Sequence, residues 1–462
     1  MSVAMPTAKA AGHSWGSHLR ETLSLGIPLI GAQLAQQGIN ATDIFILGQL
    51  SALDLAAAVL ATQYYFTIFI FGVGLAIAVM PMVAQAYGRG DEVAVRRSMR
   101  MGMWAAIIYS VLVQPLFLWS SPILLSLGQE PDVAAKAAQY LHVVGFAIFP
   151  ALLFQVLRSL VSATGRARVV LLVAVLMLVV NAVVAYALVL GGLGLPQLGI
   201  RGAALATFVG QMTGLLYLVA YIGRDTMLAR YQLFVRFWKP DWHALREVVL
   251  LGLPIGISVL AEVSMFTVSS VMMGQLGTIP LAAHGIVLQL AAIAFMVPLG
   301  LSQAATVRVG IFHGAGDRAN VIRASITVMA IAICFAASSG LTFALFPAAL
   351  ISLFMDTGLP NASEVLAYAM PLVFVAALFQ LLDSGQVTIS GLLRGLKDTR
   401  TPMVLVLIAY WIVGLPLAWL MAFPFGLGGV GIWIGFMLGL GAAAVMLSLR
   451  FRQLLRAGRA PA

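Results

Sequence analysis

Residues 26–50 read GIPLIGAQLAQQGINATDIFILGQL, an apolar stretch long enough to cross a bilayer that nonetheless carries a polar stripe. Gln33, Gln36, Gln37, Asn40 and Asp43 are separated by 3, 1, 3 and 3 positions, which stacks them along one face of a helix. The opposite face is aliphatic. A carboxylate at the middle of a bilayer costs roughly 2.5–3.5 kcal/mol on insertion scales, so this stripe must look into a bundle interior or a water-filled cavity rather than at lipid. Pro28 removes one backbone hydrogen bond and crowds the preceding turn, so a kink is expected ahead of the stripe.

The stretch returns 226 positions later as GLPIGISVLAEVSMFTVSSVMMGQL, with Gly26/Gly252, Pro28/Pro254, Ala35/Ala261, Gly48/Gly274, Gln49/Gln275 and Leu50/Leu276 in ungapped register. In this copy the acid is Glu262, aligned with Gln36, while Ser269 aligns with Asp43. The register continues without a gap through GVGLAIAVMPMVAQAYGRGDEVAVRRS and PLGLSQAATVRVGIFHGAGDRANVIRA, which pair Gly74/Gly300, Leu75/Leu301, Gly88/Gly314, Gly90/Gly316, Asp91/Asp317 and Arg97/Arg323. Shared glycines and a Gly-x-Gly-Asp loop are not generic membrane composition. The chain is therefore an internal duplication. Farther on, Phe154-Gln155 pairs with Phe379-Gln380 and GIRGAA at Gly199 with GGVGIW at Gly428, the offset drifting from 225 to 229.

At 462 residues, with 61% apolar side chains, 9% charged and a mean hydropathy of +1.02, the chain is an all-α integral membrane protein with no room for a soluble catalytic domain. Twelve spans are expected at about 22–48, 55–82, 98–120, 133–157, 168–190, 200–222, 247–273, 281–307, 324–346, 364–390, 401–422 and 428–449. They divide into an N-terminal tail at 1–21, a first lobe at 22–222, a linker at 223–246, a second lobe at 247–450 and a C-terminal tail at 451–462. Six spans per copy is an even number, so the lobes enter with the same orientation, as parallel repeats with the substrate route between them. Of the 26 Lys and Arg, 24 fall on one side and only Lys136 and Arg201 on the other, so both termini are expected in the cytoplasm. The net charge of +10 is thus a topology signal addressed to anionic headgroups, not to nucleic acid. The linker, RDTMLARYQLFVRFWKPDWHALR, suits a basic, aromatic helix lying on the membrane surface. Cys334 is expected as a small buried hydrophobe, and His142 and His284 as hydrogen-bonding residues near span ends.

Thirteen of the 16 acids fall in tails, connections or span ends, leaving Asp43 in the first span, Glu262 in the seventh and Asp383 in the tenth. No Lys or Arg is expected deep in the membrane beside them. Balancing that charge takes protons, metal cations or a cationic ligand, which makes protonation a usable switch. Gln380, Asp383, Ser384 and Val387 share a face, so Glu262 and Asp383 are expected to meet in the second lobe and bind a hard cation or share a proton. Asn181 and Thr207 are the matching candidates beside Asp43, each with helix packing as its alternative.

These residues resemble a known family. The first-span Asp after a proline (Pro28…NATDIFILG), AEVSMF in the seventh span and FQLLDSGQ…LLRGLKDTRTP in the tenth look like the multidrug and toxic compound extrusion family of the MOP flippase superfamily. Within it, the pair Glu262 and Asp383 is similar to the NorM branch. The resemblance implies an antiporter of the cell membrane, the inner membrane in a Gram-negative bacterium, that expels organic cations and amphiphilic drugs in exchange for Na⁺ or H⁺ by alternating access. It implies a cation or proton site at Glu262 and Asp383, a second at Asp43 with Asn181 and Thr207, no cofactor beyond the coupling ion, and a monomer. Some relatives carry a further acid where this chain has Ala185, and a Tyr where it has Phe379, so Na⁺ and H⁺ both stay open.

The alternative within the superfamily is a flippase for lipid-linked oligosaccharides or lipid intermediates, whose phosphate-bearing cargo calls for intramembrane Arg or Lys. An enzyme is not expected: an intramembrane aspartyl protease would need its acids in Gly-x-Gly-Asp, where neither Asp43 nor Asp383 sits. A channel is equally unsupported, since no repeated filter-like loop appears.

Overall fold

The computed structural model describes residues 14–235, 237–355 and 361–457. The expected tails therefore lie partly outside the described residues, as do Arg236 and Asp356. Twelve long helices run through the rest: α1 Trp15–Leu47, α2 Ala52–Arg89, α3 Glu92–Leu118, α4 Pro131–Ala163, α5 Ala167–Val189 and α6 Ile200–Arg224. They continue as α7 Trp242–Leu276, α8 Thr278–Gly314, α9 Arg318–Leu345, α10 Ala362–Gly395, α11 Arg400–Ala422 and α12 Gly428–Ala457. Eleven of them are long and apolar enough to cross a membrane; α1 falls short because its polar stripe interrupts the apolar run.

The repeated Gly-x-Gly-Asp loop is a helix stop followed by a helix start. Gly90 and Gly316 take φ of +71° and +73°, the left-handed conformation that ends a helix without a Cβ clash. The next residue then caps the following helix: Asp91 Oδ1 accepts from the Ala94 N–H at 2.9 Å and Asp317 Oδ1 from the Asn320 N–H at 3.0 Å.

The chain forms two compact units. Among the described residues the first runs from Gly31 to Gly256, and the second takes residues 14–30 together with those from Ile257 onward. Both α1 and α7 are continuous helices that leave one unit and enter the other two residues after a proline, Pro28 or Pro254. The repeated glycines mark where these half-helices are seated. In the first unit a Cβ on Gly252 would come within 2.6 Å of Leu75 Cα, and one on Gly74 within 2.6 Å of Gly256 Cα. In the second, a Cβ on Gly26 would meet the Leu301 side chain at 3.1 Å and one on Gly300 the Ile30 backbone nitrogen at 2.7 Å. Each repeat's first half-helix thus packs on the other repeat's second helix, at the small-residue contact that lets two membrane helices approach closely.

Within the first unit α2 packs on α3 and α4, and α5 on α6; within the second α8 packs on α10, α10 on α9 and α12, and α11 on α12. α4 carries Phe154-Gln155 and α10 carries Phe379-Gln380.

Three further expectations are corrected. The linker is not a surface helix: α6 runs on to Arg224, α7 starts at Trp242, and among the described residues between them only the single turn Thr226–Ala229 is helical. Its carbonyls are held by one face of α3, where Arg96, Arg100 and Trp104 stand four residues apart. Arg96 Nε donates to Tyr231 O at 2.7 Å, Arg100 to the carbonyls of Gln232, Leu233 and Val235, and Trp104 Nε1 to Phe237 O at 2.8 Å. Donors on a neighbouring helix replace the intrahelical bonds such a segment would otherwise need. At its ends, Arg166 grips Asp225 at 3.0 and 3.1 Å and Arg97 meets Asp241 at 2.6 Å. Burial alone would raise the Asp225 carboxyl, but the Leu228 N–H and the Arg166 guanidinium outweigh it and hold it below the usual carboxylate range. Cys334 is exposed on α9, because in a membrane protein an apolar run faces lipid as readily as it faces a core. The third correction concerns the basic residues, and belongs to the site.

Candidate functional site

In the first unit the last turns of α1 carry Asp43 towards α4, α5 and α6. Asp43 Oδ2 lies 3.4 Å from the Thr207 hydroxyl, which is also 3.2 Å from the Ala203 carbonyl; its single proton serves one of them at a time. Asn181 is 1% exposed and lies beside the carboxyl, yet neither of its amide atoms makes a hydrogen bond of ordinary length and angle. Asp43 Oδ1 is likewise buried without a hydrogen-bond partner. Tyr140 on α4, not singled out from sequence, is buried with its phenol turned to Thr62 and Thr207 and within reach of the Asp43 charge. Buried polar atoms left unmatched around one carboxylate are the mark of a site that something else completes.

The glutamine stripe is only partly engaged there. Gln33 accepts from Arg158 Nη2 at 2.9 Å, whose Nη1 also meets Gln155 Oε1 at 3.2 Å. Gln36 and Gln37 are half-buried and Asn40 is exposed.

In the second unit Glu262 on α7 and Asp383 on α10 come close enough for each charge to act on the other. Asp383 is buried, as are Gln380, Ser384 and Val387 on the same face. Asp383 Oδ1 and Gln380 Nε2 have no hydrogen-bond partner, whereas Ser384 donates to the Ala332 carbonyl at 3.1 Å. Two groups join the acids that sequence reasoning passed over. Tyr410 is 0% exposed, its hydroxyl unpartnered, and it lies within the field of both acids. It sits on a π-helical turn, Ile408–Gly414, inside α11, a distortion that often marks functional sites. Arg394 is the third correction: α10 runs on to Gly395 instead of ending near 390, which brings the Arg394 guanidinium within reach of Glu262. Basic side chains are also buried at Arg158 and Arg308. Among the described residues no three His, Cys, Asp or Glu gather as a metal cage, so a cation here would complete its shell with hydroxyl, amide or water oxygens.

His284 and His142 are placed as hydrogen-bonding residues. His284 is 0% exposed; Trp433 Nε1 donates to its Nδ1 at 3.1 Å, and its Nε2 faces the Ser269 hydroxyl at 3.3 Å. His142 Nε2 lies 3.1 Å from the Leu118 carbonyl.

The MatE family model matches residues 28–187 and 254–420. A probable multidrug resistance protein NorM of Agrobacterium fabrum is 56% identical over 450 residues, covering 97% of both chains. The protein of that name from Rhizobium meliloti is 55% identical over 444 residues, 96% of this chain and 95% of the other. Among solved structures, a eukaryotic MATE transporter superposes with a TM-score of 0.84 at 22% identity, over 96% of this chain and 99% of that one. An outward-facing multidrug resistance MATE transporter of the MOP superfamily gives 0.86 at 19% identity, over 98% and 100%.

Proposed function

Because the chain belongs to the MatE family and is a multi-pass multidrug transporter, we propose that it exports organic cations and amphiphilic drugs in exchange for inward Na⁺ or H⁺. The observation that carries this reading is the second unit's site: two carboxylates and one guanidinium within a shared field, with a carboxylate oxygen, an amide and a phenol left unsatisfied. Two negative charges against one positive leave a net negative site in an apolar surround. One small cation or one proton relieves it. Na⁺ would take oxygens from Glu262, Asp383 and Tyr410; a proton would be shared between the acids. Asp43, with Thr207, Asn181 and Tyr140, forms the first unit's counterpart.

Transport by alternating access requires that occupancy change the balance between inward- and outward-open states, not merely that the ion bind. The distribution of Lys and Arg supports an orientation with both termini in the cytoplasm.

Efflux from proteoliposomes, with sodium and proton gradients imposed separately, tests the proposal. One gradient should drive export by the unaltered protein, and neither should do so in Glu262→Gln or Asp383→Asn. Coupled export at full rate in both variants would reject the role given to these acids.

A further inference from the structure

The start of α1, in the second unit, holds a chain of five side chains with one consistent arrangement of protons. Asp317 Oδ1 accepts from the Asn320 backbone N–H at 3.0 Å and its Oδ2 from Asn320 Nδ2 at 2.7 Å. A carboxylate only accepts, so the Asn320 nitrogen must face Asp317 and its Oδ1 must face His18 Nε2, 3.0 Å away. Nε2 therefore carries the proton. On the other side of the ring Arg308 Nη2 lies 2.8 Å from His18 Nδ1. A guanidinium only donates, so Nδ1 presents its lone pair and the imidazole is neutral. Arg308 Nη1 continues to Glu21 Oε2 at 2.9 Å. The Phe312 ring packs 5.6 Å from the imidazole and 5.6 Å from the guanidinium carbon, and His18, Arg308 and Asn320 are buried.

We propose that this cluster is a pH-sensitive latch: it holds the first half of α1 to α8 and α9 while His18 is neutral and releases it when His18 takes up a proton. Among the described residues, the charged groups set about the imidazole include Arg308 from α8, Asp317 through Asn320 from α9, and Glu21 from α1 itself. A proton on Nδ1 would abolish the Arg308 bond and set two cations 2.8 Å apart. The released form thus binds one more proton than the latched form. Its share rises by up to about tenfold for each pH unit lowered, in the range where histidine titrates. The half-helix set free belongs to the second unit, whereas the rest of α1, with Asp43, belongs to the first. Acidification on the side that the proposed topology makes cytoplasmic would therefore loosen the second unit's hold on the helix that bears Asp43. The latch does not depend on which ion is coupled.

The test uses the full chain in nanodiscs with the exposed Cys334 replaced by Ser and spin labels on Leu19→Cys and Ala319→Cys, both surface positions on α1 and α9. At pH 8 one short distance is expected; towards pH 5.5 a longer population should grow by up to about tenfold per unit. His18→Gln, whose amide can offer oxygen to Arg308 and N–H to Asn320, should keep the short distance at both pH values. His18→Arg should show the long one at both. His313→Gln, removing the other imidazole of this end of α8, should leave the transition in place. An unchanged distance in the parent, or the same transition in His18→Gln, overturns the proposal; should His18→Arg fail to fold, the glutamine variant decides alone.

Discussion

The two units share a repeated scaffold and place their polar groups differently on it. In the first, α1 carries Asp43 into a cluster of hydroxyl and amide groups, Thr207, Asn181 and Tyr140. In the second, the position answering to Asp43 is Ser269, which is tied to His284 and, through it, to Trp433. Aromatic rings occupy the surroundings: Trp433 packs edge-on against Phe379 at 5.4 Å and against Phe436 at 6.2 Å. The acids have moved elsewhere. Glu262 stands seven residues, about two turns, before Ser269, where the first repeat has Gln36. Asp383 stands on α10, on one face with Gln380 and Ser384. A duplicated backbone thus hosts one lone acid among neutral partners and one acid pair beside a guanidinium, and the two are not interchangeable.

The largest effect should come from the acid pair. Asp383→Asn or Glu262→Gln is expected to reduce gradient-driven export to the level of protein-free vesicles, whereas Asp43→Asn should slow it without making the same ion dependence vanish. Identical ion-dependence curves for Asp43 and Asp383 variants would erase the distinction between the units. Next comes the seating of the half-helices. Gly74→Ala and Gly300→Ala each push a methyl group into backbone, and each should cost about 1–3 kcal/mol, read as lowered melting in detergent. Equal melting of both variants and the parent would show that these crossings are not tight.

A smaller effect, of opposite sign, is expected at Tyr410. Removing a buried hydroxyl that has no partner should leave stability unchanged or raise it by about 1 kcal/mol, while the apparent affinity for the coupling ion falls. A loss of stability with unaltered ion dependence in Tyr410→Phe would place the phenol outside the site. The smallest response belongs to the linker. The Asp225 carboxyl lies below its ordinary range, so what it contributes is present at neutral pH and is lost only as pH falls through that lowered value. Cleavage of the linker by a protease should therefore be flat between pH 5 and 8, the interval in which the His18 latch opens.

Much of this plan is readable from composition and spacing. Runs of apolar residues locate the helices, the Gly-x-Gly-Asp loop marks two turns, and the scarcity of intramembrane charge makes Asp43, Glu262 and Asp383 conspicuous. What escapes is whatever depends on which surface a helix turns to which neighbour. The exchange of half-helices leaves no trace in hydropathy, because the same apolar run serves either partner. The linker reads as an interfacial helix from its own residues; its partners are on α3, where donors at Arg96, Arg100 and Trp104 repeat every four positions. Arg394 looked like a connection residue because the apolar pattern thins before α10 ends. Tyr410 has no distinguishing pattern at all, since an aromatic residue in a span is ordinarily packing and only the π-helical turn sets it apart.

The crossed half-helices also carry a consequence for biosynthesis. The groove beside Leu75 is filled by the segment around Gly252, which leaves the ribosome some 180 residues later, so the earlier half of the chain must wait in the bilayer with that groove open. Until then lipid or a chaperone has to cover the gap. A chain truncated before α7 would never close it, and maturation of the amino-terminal half is timed by translation of the carboxy-terminal one.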